Sequence, residues 1–471
     1  MLLSRVCAGP DMGCAPRAFA ARCAHPMPYI LNETHNPDAL SWVPSANAHD
    51  ADFPIQNLPY GVFSHRATDD PPRVGVAIGD RILDVGACHQ MDLFSGMAYV
   101  AAERCNAASL NGLLGLSPAH WSALRRRLHE LLRINHPDMR HHRDVVSHAL
   151  VPQADTRLHM PFVVGDYTDF YASRHHAANV ARMHRAGDAL QPSYLYLPLG
   201  YHGRASSVVV SGTPVRRPSG QRLAEGAELP EFGPSQALDY GVEVGLVIGG
   251  ENALGDPVPI GRARERIFGI CLLNDWSARD LQAWESRPLG PFLSKSFATT
   301  ISPWIVTLEA LTPFRSAQTP RAEDEPPPLA YLQDEEDQAR GAFDVTVEVY
   351  LSSATMRERG MAPMRVSRSS MRDLYWTPAQ LVAHHTSNGC NLRSGDLLGT
   401  GTVSGASPES RGCLLERTWR GTEPLVLPTG EERRWLEDGD EVCFRGWAER
   451  GGAAGLGLGS CQGAVHLPGG S

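Results

Sequence analysis

In Leu238–Gly250 (LDYGVEVGLVIGG) the carboxylate of Glu243 interrupts a strand-like run of small and apolar residues. A carboxylate inside a sheet is costly unless it is paired, hydrogen-bonded or bound to a cation. Glu243 is therefore either an oxygen ligand for a hard cation such as Mg²⁺ or Ca²⁺, or a residue facing outward from its strand. In both cases the chain is building a sheet there. Farther on, Phe343, Val345, Val347, Val349 and Leu351 alternate with Asp344, Thr346, Glu348 and Tyr350, the period-two pattern of a half-buried strand. The 45 Gly and 36 Pro provide turns between short strands, so a mainly β architecture is expected.

A chain of 471 residues exceeds one usual domain, and two are expected. Residues 1–51 read as an N-terminal extension, 52–150 as a small module with its linker, and 157–467 as the larger domain. Met1–Pro28 has Arg5, Arg17 and Arg22 against the single acid Asp11 but no uninterrupted apolar core, and reads as an over-extended start, with Met27 as the first residue. In the small module Arg73–Val85 reads as two strands joined by a Gly-Asp turn. A helix closes it: Ser117 caps, Pro118 takes the first helical position, and Trp121, Leu124, Leu128 and Leu131 form an apolar stripe. His-rich Asn135–Pro152 reads as the linker, and Ser316–Arg340, rich in Pro, Asp and Glu, as a surface excursion.

A net charge of −9 argues against general affinity for nucleic acid or anionic membrane, and no apolar stretch approaches the length of a membrane-spanning helix. Ten cysteines are scattered without a C-x-x-C pair, which fits a reducing cytoplasm.

Four clusters carry the chemistry. Asp166–Arg185 brings carboxylate, phenol, imidazole and guanidinium groups together, including Asp169, Tyr171, His175, His176 and Arg185, although either histidine alone is also a residue a core can absorb. Around Glu243 lies the second. The third is Asn274–Trp304, in which Asp275 ends an apolar run, Arg279 and Gln282 follow at helical spacing, and Lys295 sits in a loop, where surface ion pairs would also explain the cations. The fourth, Asn388–Glu416, holds the Gly-rich GTGTVSG, which lacks P-loop spacing and reads as a tight loop that lets backbone approach a small ligand. Glu416 there either orients a histidine or caps a strand.

These clusters, in this order, with the phrases GYHGRASS (Gly200–Ser207) and NDWSARD (Asn274–Asp280), resemble the fumarylacetoacetase family over Asp52–Val465. The resemblance implies a small SH3-like barrel followed by a large mixed β-sandwich roll, and a homodimer in the cytoplasm. It implies metal-dependent hydrolysis of the carbon–carbon bond of 4-fumarylacetoacetate to fumarate and acetoacetate, the last step of tyrosine and phenylalanine breakdown. Residue by residue it makes Asp169, Glu243 and Asp275 carboxylate ligands of Mg²⁺ or Ca²⁺, with Lys295 and Thr299 at a neighbouring cation position. His176 becomes the general base and Glu416 its orienting partner. Tyr171, Arg185, Gln282 and Thr402 hold substrate, Ser286 matches a substrate-contacting tyrosine, and Arg279, Gln282 and Lys295 stabilise the departing carbanion.

Three positions depart from the family pattern: Gly241 where Glu-x-Glu is usual, Ser286, and Ala298 in place of a glycine. Gly241 removes one carboxylate ligand. Asp239 lies on the same expected strand face, but roughly 6.5 Å of strand rise makes it a poor substitute. These departures leave two alternatives open: a relative acting on another β-diketo acid or acylpyruvate, or a catalytically impaired homologue that only binds metabolites.

Overall fold

The computed structural model describes residues 30–137, 139–184 and 190–466. The reading of Met1–Pro28 as an over-extended start lies outside the described residues.

Five antiparallel strands form the small sheet, in the order Leu150–Pro152, Arg81–Asp84, Arg73–Ile78, Tyr60–His65, Thr156–Leu158. Gly79 turns the first hairpin at φ +55°, a conformation that favours glycine. Two expectations are corrected here. Asn135–Pro152 is not a free linker, because it contains the helix Met139–Ser147 and its last strand pairs with Arg81–Leu83. Residues 157 and 158, assigned to the larger domain, pair instead with Phe63 and Ser64 of the small sheet. Part of the expected extension is also packed: Ala39, Val43 and Ala46 are buried, and the Trp42 backbone N–H donates to Leu132 O at 3.1 Å.

The helix predicted near Ser117 spans Pro118–Leu132 with proline in its first turn. Ser117 has the extended backbone of a cap, but its hydroxyl bonds His120 Nδ1 rather than a backbone N–H. The apolar stripe of this helix does more than close the module. Trp121 meets Phe268 of the large domain edge-on, with ring centroids 5.2 Å apart.

The large domain contains a mixed sheet in the order Gly200–His202, Tyr167–Phe170, Leu397–Gly399, Val242–Ile248, Ile267–Asp275, Thr299–Ile301, Val208–Val210. A second sheet runs Met364–Ser370, Val345–Ser352, Glu441–Ala448, Leu456–His466, Val215–Arg216. Alternate residues of the first sheet enter two cores. Val244, Leu246, Ile270 and Leu272 share one with Val345, Val347, Val349, Leu351 and Phe444 of the second sheet. Val247, Cys271, Leu273 and Leu397 face the other way and share a core with Trp121, Leu124 and Leu128. Both faces are covered, which is why Val242–Ile248 is buried at every position.

Ser316–Arg340 lies largely at the surface, as expected, and is anchored there. It contains the helix Glu335–Arg340, capped by Asp334, and Arg321 lies over the Tyr375 and Trp376 rings at 4.3 and 4.7 Å. That pairing of a guanidinium with aromatic faces pins the segment to the domain.

Candidate active site

Strand parity assembles the first cluster. Residues 243 and 247 of one strand, 271, 273 and 275 of the next, 167 and 169 of a third, and 299 and 301 of a fourth point to the same face, because side chains alternate along each strand. Asp169, Glu243, Asp275 and Thr299 also lie at one end of the sheet, since Glu243 begins a strand that runs antiparallel to the one Asp275 ends. Carboxylate oxygens of Asp169, Glu243 and Asp275 lie within 4.8 Å of one another, and all three residues are buried. Thr299 pairs in register with Asp275 and is buried as well.

The polar groups around these acids are few. Lys295 Nζ pairs with Asp275 Oδ2, the Tyr201 hydroxyl donates to Asp275 Oδ1 at 3.1 Å, and the Gly401 N–H is shared between Asp169 Oδ1 and Glu243 Oε2 at 3.1 and 3.0 Å. Gly401 has φ +76°, and a Cβ on Gly399 would stand 2.4 Å from Asp169 Oδ1, so two glycines let the backbone press against the acids. What the GTGTVSG backbone approaches here is the pair of carboxylates of Asp169 and Glu243. Burial and the neighbouring Asp275 raise the Asp169 carboxyl to about 7, and burial with Asp169 and Asp275 raises Glu243 well above the usual carboxylate range. Three buried acids with one ammonium partner form a site that a hard divalent cation would satisfy, and the all-oxygen donor set suits Mg²⁺ or Ca²⁺ rather than a thiophilic metal.

A second cluster begins where the Asp169 strand ends. Ser173 Oγ accepts from the His176 N–H at 3.2 Å as the helix Arg174–His184 starts. His176 Nδ1 then lies 2.7 Å from Glu416 Oε2. Glu416 is fully buried and also accepts from Asn179 Nδ2 and Ser404 Oγ, each at 2.8 Å, and from Cys413 Sγ at 3.2 Å. Burial alone would raise this carboxyl, but the His176 imidazole and the hydrogen bonds outweigh it and hold it at about 2. An ionised carboxylate only accepts, so His176 donates to it through Nδ1–H. The Tyr171 ring meets the His176 ring edge-on at 5.2 Å.

The third grouping lies on the helix Arg279–Glu285. Asp275 belongs to the preceding strand rather than to this helix, while Arg279 Nη1 donates to Gln282 Oε1 at 3.0 Å. The Ser286 hydroxyl turns back and donates to the Gln282 carbonyl. Thr402 is buried, and its Oγ1 would stand 2.9 Å from a Cβ on Gly241. Arg185 lies outside the described residues. The run 400–404 joins the clusters, for its Gly401 touches the acids and its Ser404 touches Glu416.

Four residues given no role from sequence converge here: Tyr201, Asn179, Ser404 and Asp239. Asn179 follows His176 by one helical turn, a spacing that puts the two side chains on one face. Asp239, dismissed as a ligand, accepts instead from Arg279 Nε at 2.8 Å.

The pattern for the fumarylacetoacetate hydrolase C-terminal region matches residues 166–466, and that for the fumarylacetoacetase N-terminal region matches 56–161. The chain is 46% identical over 428 residues to fumarylacetoacetase from Homo sapiens, covering 90% of this chain and 98% of the relative. It is 46% identical over 417 residues to that from Arabidopsis thaliana, covering 88% and 96%, and 47% identical over 419 residues to that from Caenorhabditis elegans, again 88% and 96%.

Proposed function

Because the chain belongs to the fumarylacetoacetase family, we propose that it hydrolyses the carbon–carbon bond of fumarylacetoacetate to fumarate and acetoacetate. The observation that carries this reading is the pairing of His176 with the buried Glu416 beside a cluster of three buried acids. Water must attack a ketone, and His176 takes its proton at Nε2 while Glu416 steadies the imidazole. Acetoacetate then departs as a carbanion whose charge spreads onto oxygen, and Arg279, Lys295 and Gln282 donate to that charge as it develops. A divalent cation held by Asp169, Glu243 and Asp275, next to Lys295 and Thr299, would supply further stabilisation of charge on oxygen when bound. Tyr171, Thr402, Arg185 and Gln282 hold the substrate, and its carboxylates explain basic side chains in an acidic protein. Ser286 takes the place of a larger contact and leaves more room.

The enzyme is further proposed to act in the cytoplasm as a homodimer, in tyrosine and phenylalanine breakdown. Among the described residues no helix is long and apolar enough to cross a membrane, and Cys88, Cys105, Cys271, Cys390, Cys413, Cys443 and Cys461 are free thiols. Exposed Trp284, Leu289, Phe292 and Leu293 follow one another along and after the Arg279 helix, a surface suited to a second subunit.

The test of activity is the loss of fumarylacetoacetate absorbance after chelation and after return of Mg²⁺ or Ca²⁺, with both products identified. Activity is expected only with metal. Absence of both products at every divalent concentration overturns the reading.

Gly241 sets how tightly that metal is held. A Cβ at this position would lie 3.6 Å from Glu243 Oε1 and 3.3 Å from Asp275 O, so a longer side chain there would enter the acid cluster. Gly241→Glu is expected to tighten Mg²⁺ and Ca²⁺ binding, with Ca²⁺ gaining more because it takes about six to eight oxygens. Thr402 Oγ1 must shift to admit the new side chain, so KM rises for substrate. Calorimetric titration decides the point, and equal metal affinities before and after the substitution would show that residue 241 does not serve the cation. The same titration tests the acids themselves. With the Asp169 carboxyl near 7 in the metal-free protein, protons compete with metal below that pH and are displaced on binding. Affinity should therefore fall as pH drops from 8 to 6, and titration at pH 6 should release more protons than at pH 8.

A further inference from the structure

Asp239 lies in the short pairing of Leu238–Asp239 with Ser277–Ala278 and is completely buried. Its carboxylate meets two elements that are far apart in sequence. Oδ2 accepts from Arg279 Nε at 2.8 Å, while Oδ1 accepts from the Leu414 N–H at 2.7 Å and Oδ2 from the Leu415 N–H at 3.1 Å. Those two N–H groups open the short helix Leu414–Arg417, which carries Glu416. The first N–H groups of a helix have no partner within it, and a side chain at the N-cap normally supplies one. Here the N-cap is Cys413, which makes no side-chain cap. Asp239 provides that acceptor from 175 residues away.

On its other side the same carboxylate fixes the guanidinium. Nε of Arg279 is occupied by Asp239 and Nη1 by Gln282, and Nη2 is buried without a hydrogen-bond partner among the described residues. A buried donor without a partner calls for an explanation. With two of its three nitrogens tied, the fork can rotate little, and Nη2 is the group left to meet an oxygen that becomes charged during reaction.

We propose that Asp239 is a positioning residue that sets Arg279 and the Glu416 helix with one carboxylate, so that the carbanion-stabilising donor and the orienting acid of the base are held in fixed relation. The inference rests on the roles proposed above for Arg279 and Glu416. Asp239 is completely buried, and its two oxygens are engaged by Arg279 and by the Leu414 and Leu415 N–H groups. Its contribution is geometric, and misplacement of a reacting group by about 1 Å can cost on the order of a hundredfold in rate.

The test is steady-state kinetics of Asp239→Asn at saturating metal, with thermal unfolding measured alongside. Asparagine keeps the size and one acceptor but not the charge opposite Arg279. The expected result is a fall in kcat of about tenfold or more, with KM changed by less than about threefold, since a transition-state contact is lost rather than uniform binding. In Arg279→Gln/Glu416→Gln the added Asp239→Asn should cost little further, because residues acting as a unit are not additive. An unchanged kcat with a lowered melting temperature would make Asp239 merely structural and overturn the proposal, as would a full multiplicative loss in the double background. If Asp239→Asn does not fold, Asp239→Asn/Cys413→Ser is compared with Cys413→Ser under the same criteria, a serine at the N-cap giving the helix a local acceptor. Should Arg279→Gln and Glu416→Gln each retain full kcat, the proposed roles of those residues fail, whatever Asp239→Asn does. If they lose kcat and Asp239→Asn does not, only the present inference fails.

Discussion

His176→Ala is expected to lower kcat by about a hundredfold or more, the scale on which general-base catalysis contributes, or about 2.7 kcal/mol of barrier. His175→Ala should leave kcat within about threefold of the parent. The contrast arises from one carboxylate. Glu416 reaches His176 Nδ1 at 2.7 Å and is itself held by Asn179, Ser404 and Cys413, so the imidazole has a defined tautomer and orientation. KM should change little in His176→Ala, because the imidazole acts on water in the transition state. Because Glu416 is held at about 2, its carboxylate is ionised near neutral pH, and a loss of activity on mild acidification is not expected to arise from it. The assignment is refuted if the two alanine variants exchange their effects.

Lys295→Met is expected to cost about 10² to 10³ in kcat, the usual loss when one preorganised donor to a developing oxyanion is removed. Lys295 is mostly buried, pairs with Asp275 and lies 5.8 Å from the centre of the Tyr201 ring. Methionine keeps the length of the stem and removes the charge. Since the ammonium also offsets the buried acids, metal affinity should change too, and kcat must be compared at saturating metal with the dissociation constant measured separately. A variant that regains full kcat once metal is saturating would show that Lys295 serves only the cation.

Much of the site was legible because its polar residues stand in apolar or glycine-rich surroundings. Glu243 inside LDYGVEVGLVIGG was read as either a ligand or an outward residue, and local sequence offers no means of choosing. Pairing removes the outward reading: Glu243 is buried, and Asp169 and Asp275 share its face only because three strands align in one register. Asp239 was weighed as a metal ligand and set aside on strand rise. Its real partners, Arg279 and the N–H groups of Leu414 and Leu415, come from segments no spacing rule connects to it. The excursion Ser316–Arg340 is largely exposed, as its charge and proline content imply, and what the sequence did not reveal is that one of its arginines finds two aromatic faces and anchors it.

The stripe Trp121, Leu124 and Leu128 also bears on how the protein can be divided. These side chains share a core with Val247, Phe268, Cys271 and Leu273 of the large sheet. A gene fragment beginning at residue 157 would encode every described residue placed at the reaction, yet strip the Val247, Phe268, Cys271 and Leu273 face of the sheet of its Trp121, Leu124 and Leu128 partners. Such a fragment would be prone to self-association. In engineering terms the amino-terminal module is a cover for one face of the large sheet, so exchanging it for that of a relative means re-fitting the Trp121 contact with Phe268 before any other change can be judged.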